Sequence, residues 1–161
     1  MHSSSSTVYN LFSSTAQWNP EKIAIIQDEH AWTFRKLLQL VDQLANLLEE
    51  KGVSEGDRIA IISENRVEYI ALQLACSRAG AQISCINWRL SPYELKHCIE
   101  LVAPVLVFCS ERFNELFERA DVKLNQTVLS VDDCLKLSLG LEPSRNAPAC
   151  DPERGLLLLY T

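Results

Sequence analysis

The spacing of hydrophobic residues changes repeatedly along the chain, and each change predicts a new element. Strand-like apolar runs begin near residues 58, 81, 105, 127 and 156. The first gaps between them carry apolar residues at the i, i+3, i+4 and i+7 spacing typical of an amphipathic helix. Strands that alternate with helices predict βαβ units with right-handed crossovers. The expected fold class is α/β, with a mostly parallel, doubly wound sheet covered by helices.

A small N-terminal β-hairpin is predicted ahead of the first long helix. Residues 22–27 form its first strand, and residues 31–32 return after a polar turn. Thr33 is placed to cap the helix that follows. Gly52 is predicted to end this helix, and Val53 to make the hydrophobic contact that often accompanies a glycine C-cap.

Three further helix starts are indicated by capping residues. The run SPYE over residues 91–94 offers a serine cap, proline at the first helical position and glutamate at the third, which together predict a capping box. Ser110 is expected to cap the next helix. Asp132 or Asp133 is expected to cap a weaker helix that reaches about Leu139.

The last apolar run, residues 156–160, is typical of a strand buried on both faces of a parallel sheet. In doubly wound folds, ligands bind in the loops that follow the carboxyl ends of the strands. We therefore expect the chain to stop just before its binding loop. A sheet that lacks its next strands exposes an apolar edge, which favours self-association.

Composition narrows the class of protein. Of the 161 residues, 47% are hydrophobic and 22% are charged, which excludes a disordered or low-complexity chain. The net charge of −6 argues against nucleic acid as a partner. The longest apolar runs are too short for a membrane span. Residues 1–7 are interpreted as a disordered or cloning-derived tail, and residues 8–161 as one incomplete domain.

Six cysteines are present, and no two of them form a C-x-x-C pair. Four lie inside apolar segments, where a free cysteine behaves as a small buried hydrophobe. The three histidines are scattered, so no metal site is expected. This use of cysteine indicates a reducing, cytoplasmic compartment.

Several runs, in order, resemble the adenylate-forming (AMP-binding) enzymes, which include acyl-CoA synthetases, adenylation domains and luciferases. The resemblance covers the chain from about residue 8, and is least diagnostic over residues 126–154. One departure is Lys36, where the family commonly has an acidic residue. The runs that carry the resemblance are WTF at 32–34, GVSEGDRIA at 52–60, SEN at 63–65, AGA at 79–81, NWRLSPYEL at 87–95 and LLYT at 158–161.

The run at residues 87–95 is similar to a stretch usual in acyl-CoA synthetases, so the resemblance implies the N-terminal portion of an acid–CoA ligase. Such an enzyme uses ATP and Mg²⁺ to convert a carboxylic acid to an acyl-adenylate, and CoA then takes the acyl group. Because the family's catalytic parts follow position 161, the chain alone is expected to be inactive and to bind no cofactor. Alternatives are an adenylation domain that loads a carrier protein, a luciferase-like enzyme and a non-catalytic α/β interaction module.

The resemblance assigns a role to two residues. Arg89 matches an arginine that contacts a phosphate of the CoA nucleotide, although it could instead pair with Glu94 or another surface carboxylate. Thr161 matches the first threonine of the phosphate loop, which binds the nucleotide. No catalytic residue is expected in the chain. The pairs at 97–98 and 132–133 are interpreted as structural.

Overall fold

The computed structural model describes residues 6–122, 127–138, 141, 151, 153 and 155–159. A two-stranded antiparallel hairpin and a five-stranded parallel sheet are surrounded by helices. In chain order the elements are α1 (Val8–Trp18), β1 (Ile23–Gln27), β2 (His30–Thr33), α2 (Phe34–Glu50), β3 (Arg58–Ile62), α3 (Val67–Ala79), β4 (Gln82–Cys85), α4 (Pro92–Val102), β5 (Leu106–Cys109), a 3₁₀ turn (Glu111–Phe113), α5 (Asn114–Arg119), β6 (Thr127–Ser130), α6 (Cys134–Ser138) and β7 (Leu157–Leu158).

The predicted α/β class and hairpin are confirmed. The order of the parallel strands is β6-β5-β3-β4-β7, so the chain winds outward on both sides of β3. Ile59 of β3 lies opposite Ile83 of β4 on one side and Leu106 of β5 on the other. All five strands run in the same direction, and their carboxyl ends therefore meet at one edge of the sheet.

Side chains of β3 alternate between two hydrophobic clusters. Ile59 and Ile61 pack with buried residues of α2 and α3 on one face. Ala60 and Ile62 pack with buried residues of α4 on the other. All four are completely buried, as expected for a parallel strand with helices on both faces.

The hairpin leads into α2, whose two ends match the sequence prediction. The Thr33 hydroxyl accepts a hydrogen bond from the Lys36 backbone N–H at 3.3 Å. At the other end, Gly52 has a φ of +79° and Val53 donates from its backbone to the Leu48 carbonyl at 2.9 Å. This is the Schellman arrangement, and the nearly buried Val53 side chain supplies its hydrophobic contact.

Helix α1 is an element that the sequence analysis did not predict. Thr7 caps it by accepting a hydrogen bond from the Asn10 backbone N–H. Tyr9 joins it to two other helices, because its backbone N–H donates to Ser77 at 3.0 Å and its hydroxyl donates to Asp42 at 2.8 Å. Burial and the neighbouring Asp42 carboxylate together raise the pKa of Tyr9 to about 12, so this contact persists at neutral pH. Residues 1–5 of the predicted tail lie outside the described residues.

The predicted capping box at the start of α4 is present. The Ser91 hydroxyl accepts from the Glu94 backbone N–H at 3.3 Å, and the Glu94 carboxylate accepts from the Ser91 backbone N–H at 2.8 Å. The Ser91 hydroxyl and the Ser91 backbone N–H both donate to the Glu94 carboxylate, and these two hydrogen bonds hold the pKa of Glu94 below its usual range. The backbone N–H groups of Ser91 and Glu94 therefore both find acceptors within the capping box.

Ser91→Ala is expected to lower the free energy of unfolding by about 1 kcal/mol, because it removes the side-chain acceptor of this cap. Urea denaturation followed by circular dichroism measures the change. Glu100→Ala, an exposed substitution in the same helix, is the matched control. Equal stabilities of the two variants would show that the capping box contributes nothing.

Two predicted local features are wrong. Ser110 makes no side-chain capping bond, and the chain after β5 forms a 3₁₀ turn before α5 begins. The final strand is not buried on both faces, since Leu157 is 45% exposed. Among the described strands β7 pairs with β4 alone, so its outer edge is uncovered. Self-association through this edge stays a prediction.

A search of the described residues finds no helix that is both long and apolar enough to cross a membrane.

Candidate functional site

The candidate site is the edge where the carboxyl ends of the parallel strands meet. From β3 the chain crosses to β4 on one side, whereas from β5 it continues to β6 on the other. Because β3 and β5 are neighbours in the sheet, the loops that follow them lead away in opposite directions. Such a switch point is where open α/β sheets bind their ligands. Two side-chain clusters lie at this edge.

The first cluster begins in the loop after β4. The Asn87 side-chain oxygen accepts a hydrogen bond from the Arg89 backbone N–H at 3.0 Å, which fixes the turn. The exposed guanidinium of Arg89 lies over the indole of Trp88, with its central carbon 4.2 Å from the ring centroid. This is a close cation–π contact.

Glu94, which the sequence offers as an alternative partner of Arg89, makes its described hydrogen bonds elsewhere. The Glu94 carboxylate accepts hydrogen bonds from the backbone N–H and the hydroxyl of Ser91. Within the described part of the chain, no ion pair joins Arg89 to a carboxylate. Its charge is held on an aromatic ring and remains open to an anion.

The loop after β5 completes this cluster. The ring of Phe113 stacks on Trp88 with centroids 5.3 Å apart and an angle of 18° between the planes. The guanidinium of Arg112 lies 5.5 Å from each of these two rings. Trp88 packs on Phe113, and it also contacts both arginines. Sequence reasoning missed Arg112, although its position directly after a predicted strand was the available signal.

The second cluster consists of Arg66, Glu68 and Asp132. The Arg66 guanidinium binds both oxygens of Glu68, at 2.7 and 3.2 Å, and one oxygen of Asp132 at 2.5 Å. The other Asp132 oxygen accepts from the Glu111 backbone N–H at 2.7 Å. The cluster thus ties together the loops after β3, β5 and β6.

Charge pairing shifts the pKa values in this cluster. The carboxylates of Glu68 and Asp132 raise the pKa of Arg66 despite its partial burial. Burial by itself would raise the pKa of Asp132, but hydrogen bonds from Glu111 and Arg66 outweigh it and lower that pKa below its usual range. Arg66 and Asp132 are therefore both charged at neutral pH, and the guanidinium of Arg66 is shared between the carboxylates of Asp132 and Glu68.

Asp133 directly precedes α6, as expected of a cap, and its backbone carbonyl accepts from the Leu137 N–H at 2.8 Å. The carboxylate of Asp132 is engaged by Arg66 and Glu111, and that of Asp133 pairs with Lys136 at 2.9 Å. The hydroxyl of Ser130 accepts from the backbone N–H groups of both aspartates at 3.1 and 3.3 Å, which fixes the turn that leads into α6. Both aspartates remain structural residues, as predicted.

Thiols near this edge are poor candidates for nucleophiles. Burial, assisted by the nearby carboxylate of Asp132, raises the pKa of Cys109 to about 11. Burial likewise raises the pKa of Cys134 to about 12. Both thiols are protonated at neutral pH, and the thiolate is the reactive form. The five described cysteines are free.

The remaining predicted residues contribute no visible chemistry. Cys98 is buried in α4 as part of the hydrophobic core. Thr161, which is predicted to bind the nucleotide, lies outside the described residues. Within the described ranges, no group of three or more histidine, cysteine or acidic residues could hold a metal ion.

Comparison with known proteins gives a consistent result. A family model described as "AMP-binding enzyme" matches residues 12–161. A putative acyl–CoA ligase of Bacillus subtilis is 26% identical over 115 residues, which cover 71% of this chain and 23% of that protein. A fatty acid–[acyl-carrier-protein] ligase of Streptomyces coeruleorubidus is 23% identical over 132 residues, which cover 82% of this chain and 25% of that protein.

The fold is found in solved structures as well. A fatty acyl CoA synthetase of Mycobacterium tuberculosis superposes with a TM-score of 0.89 at 20% identity, over 96% of this chain and 32% of that one. At this identity the likeness is one of fold. The chain spans about a quarter of the length of the two curated relatives described above.

Proposed function

Because the chain belongs to the AMP-binding enzyme family, we propose that it forms the N-terminal part of an ATP-dependent acid–CoA ligase. In the first step, a carboxylate oxygen of the acid attacks the α-phosphate of ATP, and pyrophosphate leaves. In the second step, the thiol sulfur of CoA attacks the acyl carbonyl and loses its proton, the bond between the acyl carbon and the AMP oxygen breaks, and AMP leaves with the electron pair of that bond. The products are an acyl-CoA thioester, AMP and pyrophosphate.

The choice of CoA as the acceptor depends on the exposure and the contacts of the Arg89 guanidinium. Its guanidinium is exposed, supported by Trp88 and free of any carboxylate within the described ranges, at the edge of the sheet where ligands bind. A planar guanidinium offers the paired donors that phosphate oxygens prefer. We assign Arg89 to a phosphate of the CoA nucleotide.

The other substrates are assigned to the whole protein. The described residues offer no ligand cluster for Mg²⁺, so the proposal places this ion with the ATP phosphates and with residues outside the described ranges. Thr161 is proposed to belong to the phosphate loop. The 161-residue chain by itself is expected to be inactive. A cytoplasmic location, consistent with the free thiols, is part of the same proposal.

Arg89→Ala in the whole protein is expected to raise the KM for CoA at least about tenfold, because it removes a charged donor to phosphate. Adenylation, measured as acid-dependent exchange of pyrophosphate into ATP, should be unchanged. Arg89→Lys keeps the charge but not the planar guanidinium, so its KM for CoA should lie between those of wild type and Arg89→Ala. Wild-type CoA kinetics in Arg89→Ala would refute the assignment.

A carrier protein is the second candidate acceptor, because the relative from Streptomyces is named as a ligase for an acyl-carrier protein. Both candidates share the adenylation step and differ in the thiol that follows. Incubating the whole protein with acid, ATP and either CoA or a phosphopantetheinylated carrier protein separates them. Thioester formation with the carrier protein alone would replace CoA as the acceptor.

A further inference from the structure

The two arginines on the aromatic pair come from different loops. Arg89 follows β4, and Arg112 follows β5, yet both guanidinium groups lie within cation–π distance of Trp88. Phe113 stacks on the same indole and also contacts Arg112. The indole of Trp88 therefore lies beside two positive charges from separate βαβ units, at 4.2 and 5.5 Å from its centroid, at the ligand-binding edge.

These charges have no internal counterion among the described residues. Both arginines are exposed, and neither forms an ion pair there. Two carboxylates at this edge are engaged elsewhere, since Glu94 accepts from Ser91 and Asp132 accepts from Arg66. Two unneutralised guanidinium groups repel one another, and a bound anion would remove that repulsion.

The surroundings favour phosphate as that anion. The chain carries a net charge of −6, so a cluster of two unpaired arginines stands apart from its overall charge. The aromatic rings limit the motion of both side chains, which lowers the entropy cost of binding. Guanidinium groups with their planar sets of N–H donors bind phosphate oxygens in pairs.

We propose that Arg112 is a second phosphate-binding residue, which acts together with Arg89 on the nucleotide phosphates of CoA. This inference rests on the proposed function. It adds a residue that the sequence motif at 87–95 does not contain. Trp88 and Phe113 serve as positioning residues, because they hold the two guanidinium groups at one site.

The test uses the whole protein and compares Arg112→Ala with wild type. The KM for CoA should rise about fivefold or more, whereas kcat and pyrophosphate exchange should stay unchanged. The KM for CoA should rise less in Arg112→Lys than in Arg112→Ala, because lysine keeps the positive charge. Arg119→Ala is the matched control, since this exposed arginine lies in α5 and is 4.0 Å from Glu115.

CoA that lacks its 3′-phosphate distinguishes the phosphates involved. If Arg112→Ala raises the KM for CoA but not for 3′-dephospho-CoA, Arg112 binds the 3′-phosphate. An equal rise for both assigns it to the pyrophosphate bridge. An unchanged KM for CoA, or a rise confined to the KM for ATP, would overturn the inference while leaving the ligase proposal intact. If wild type forms no CoA thioester, the proposed function fails, and the inference fails with it.

Discussion

Arg66→Ala is expected to lower the free energy of unfolding by about 3–5 kcal/mol, which is the usual cost of removing one partner of a buried ion pair. The side chain of Glu68 is only 4% exposed and has its two oxygens bound by Arg66. Without the guanidinium, this carboxylate stays buried with no cation beside it. Asp132 also loses one of the hydrogen bonds that join the loops after β3 and β6.

The matched control is Arg35→Ala. Arg35 also pairs with a carboxylate, at 2.6 Å from Glu21, but both side chains are mostly exposed. Surface pairs are screened by water and salt, so this variant should unfold close to wild type. The double variant Arg66→Ala/Glu68→Gln should recover part of the loss, because it removes the buried charge as well. A loss in Arg66→Ala no larger than that in Arg35→Ala would contradict the prediction.

The same comparison has an expected pH dependence. The pKa of Asp132 is lowered in the folded state, so its contribution to stability is present at neutral pH and is lost as the pH falls below about 4. Arg66 supplies part of this lowering. The difference in stability between wild type and Arg66→Ala should therefore shrink on acidification. Urea denaturation of the chain at pH 7 and pH 3 measures both differences.

Local patterns were sufficient for much of the fold. The caps at Thr33 and Ser91 and the glycine end at Gly52 depend on residues within a few positions of one another, and all three are observed. The βαβ alternation likewise specified a parallel sheet, because only a crossover helix joins parallel neighbours. Such features are encoded within a single turn or a single unit.

Features that depend on packing between distant segments were not predictable in this way. Helix α1 joins the fold through contacts with distant segments, since its Tyr9 is held by Asp42 and Ser77 from two other helices. A cap at Thr7 and apolar residues at spacings of three and four were the available signals. Leu157 illustrates the converse case, because an apolar run indicates a strand but not the strand with which it pairs.

The candidate site shows the same division. Arg89 could be found from its motif, since the residues that define the motif are consecutive. Arg112 reaches Trp88 only because the chain crosses from β4 to β5 on the far side of β3. Asp132 was assigned to a helix cap because its partner, Arg66, lies 66 positions away in the sequence. Strand order decides both of these contacts.

Phe108→Ala is expected to lower the free energy of unfolding by about 3–5 kcal/mol, because it leaves a cavity in the hydrophobic core. Phe108 is completely buried and lies in β5, opposite Ile61 of β3 and Leu129 of β6. Both neighbouring strands have main-chain hydrogen bonds to β5, so they cannot move inward to fill the space. The loss of apolar contacts is therefore retained in the folded state.

Val128→Ala is the matched control, since Val128 lies on the neighbouring strand β6 and is 42% exposed. Val128→Ala should lower the free energy of unfolding much less, because surrounding solvent fills the space of the missing methyl groups. Phe108→Leu, which keeps most of the apolar volume, should fall between the two alanine variants. Similar stabilities of Phe108→Ala and Val128→Ala in urea denaturation would mean that β5 is not tightly packed in the hydrophobic core. The position of Arg112 beside Trp88 would then lose its support, because β5 is the strand that carries the Arg112 loop to the ligand-binding edge.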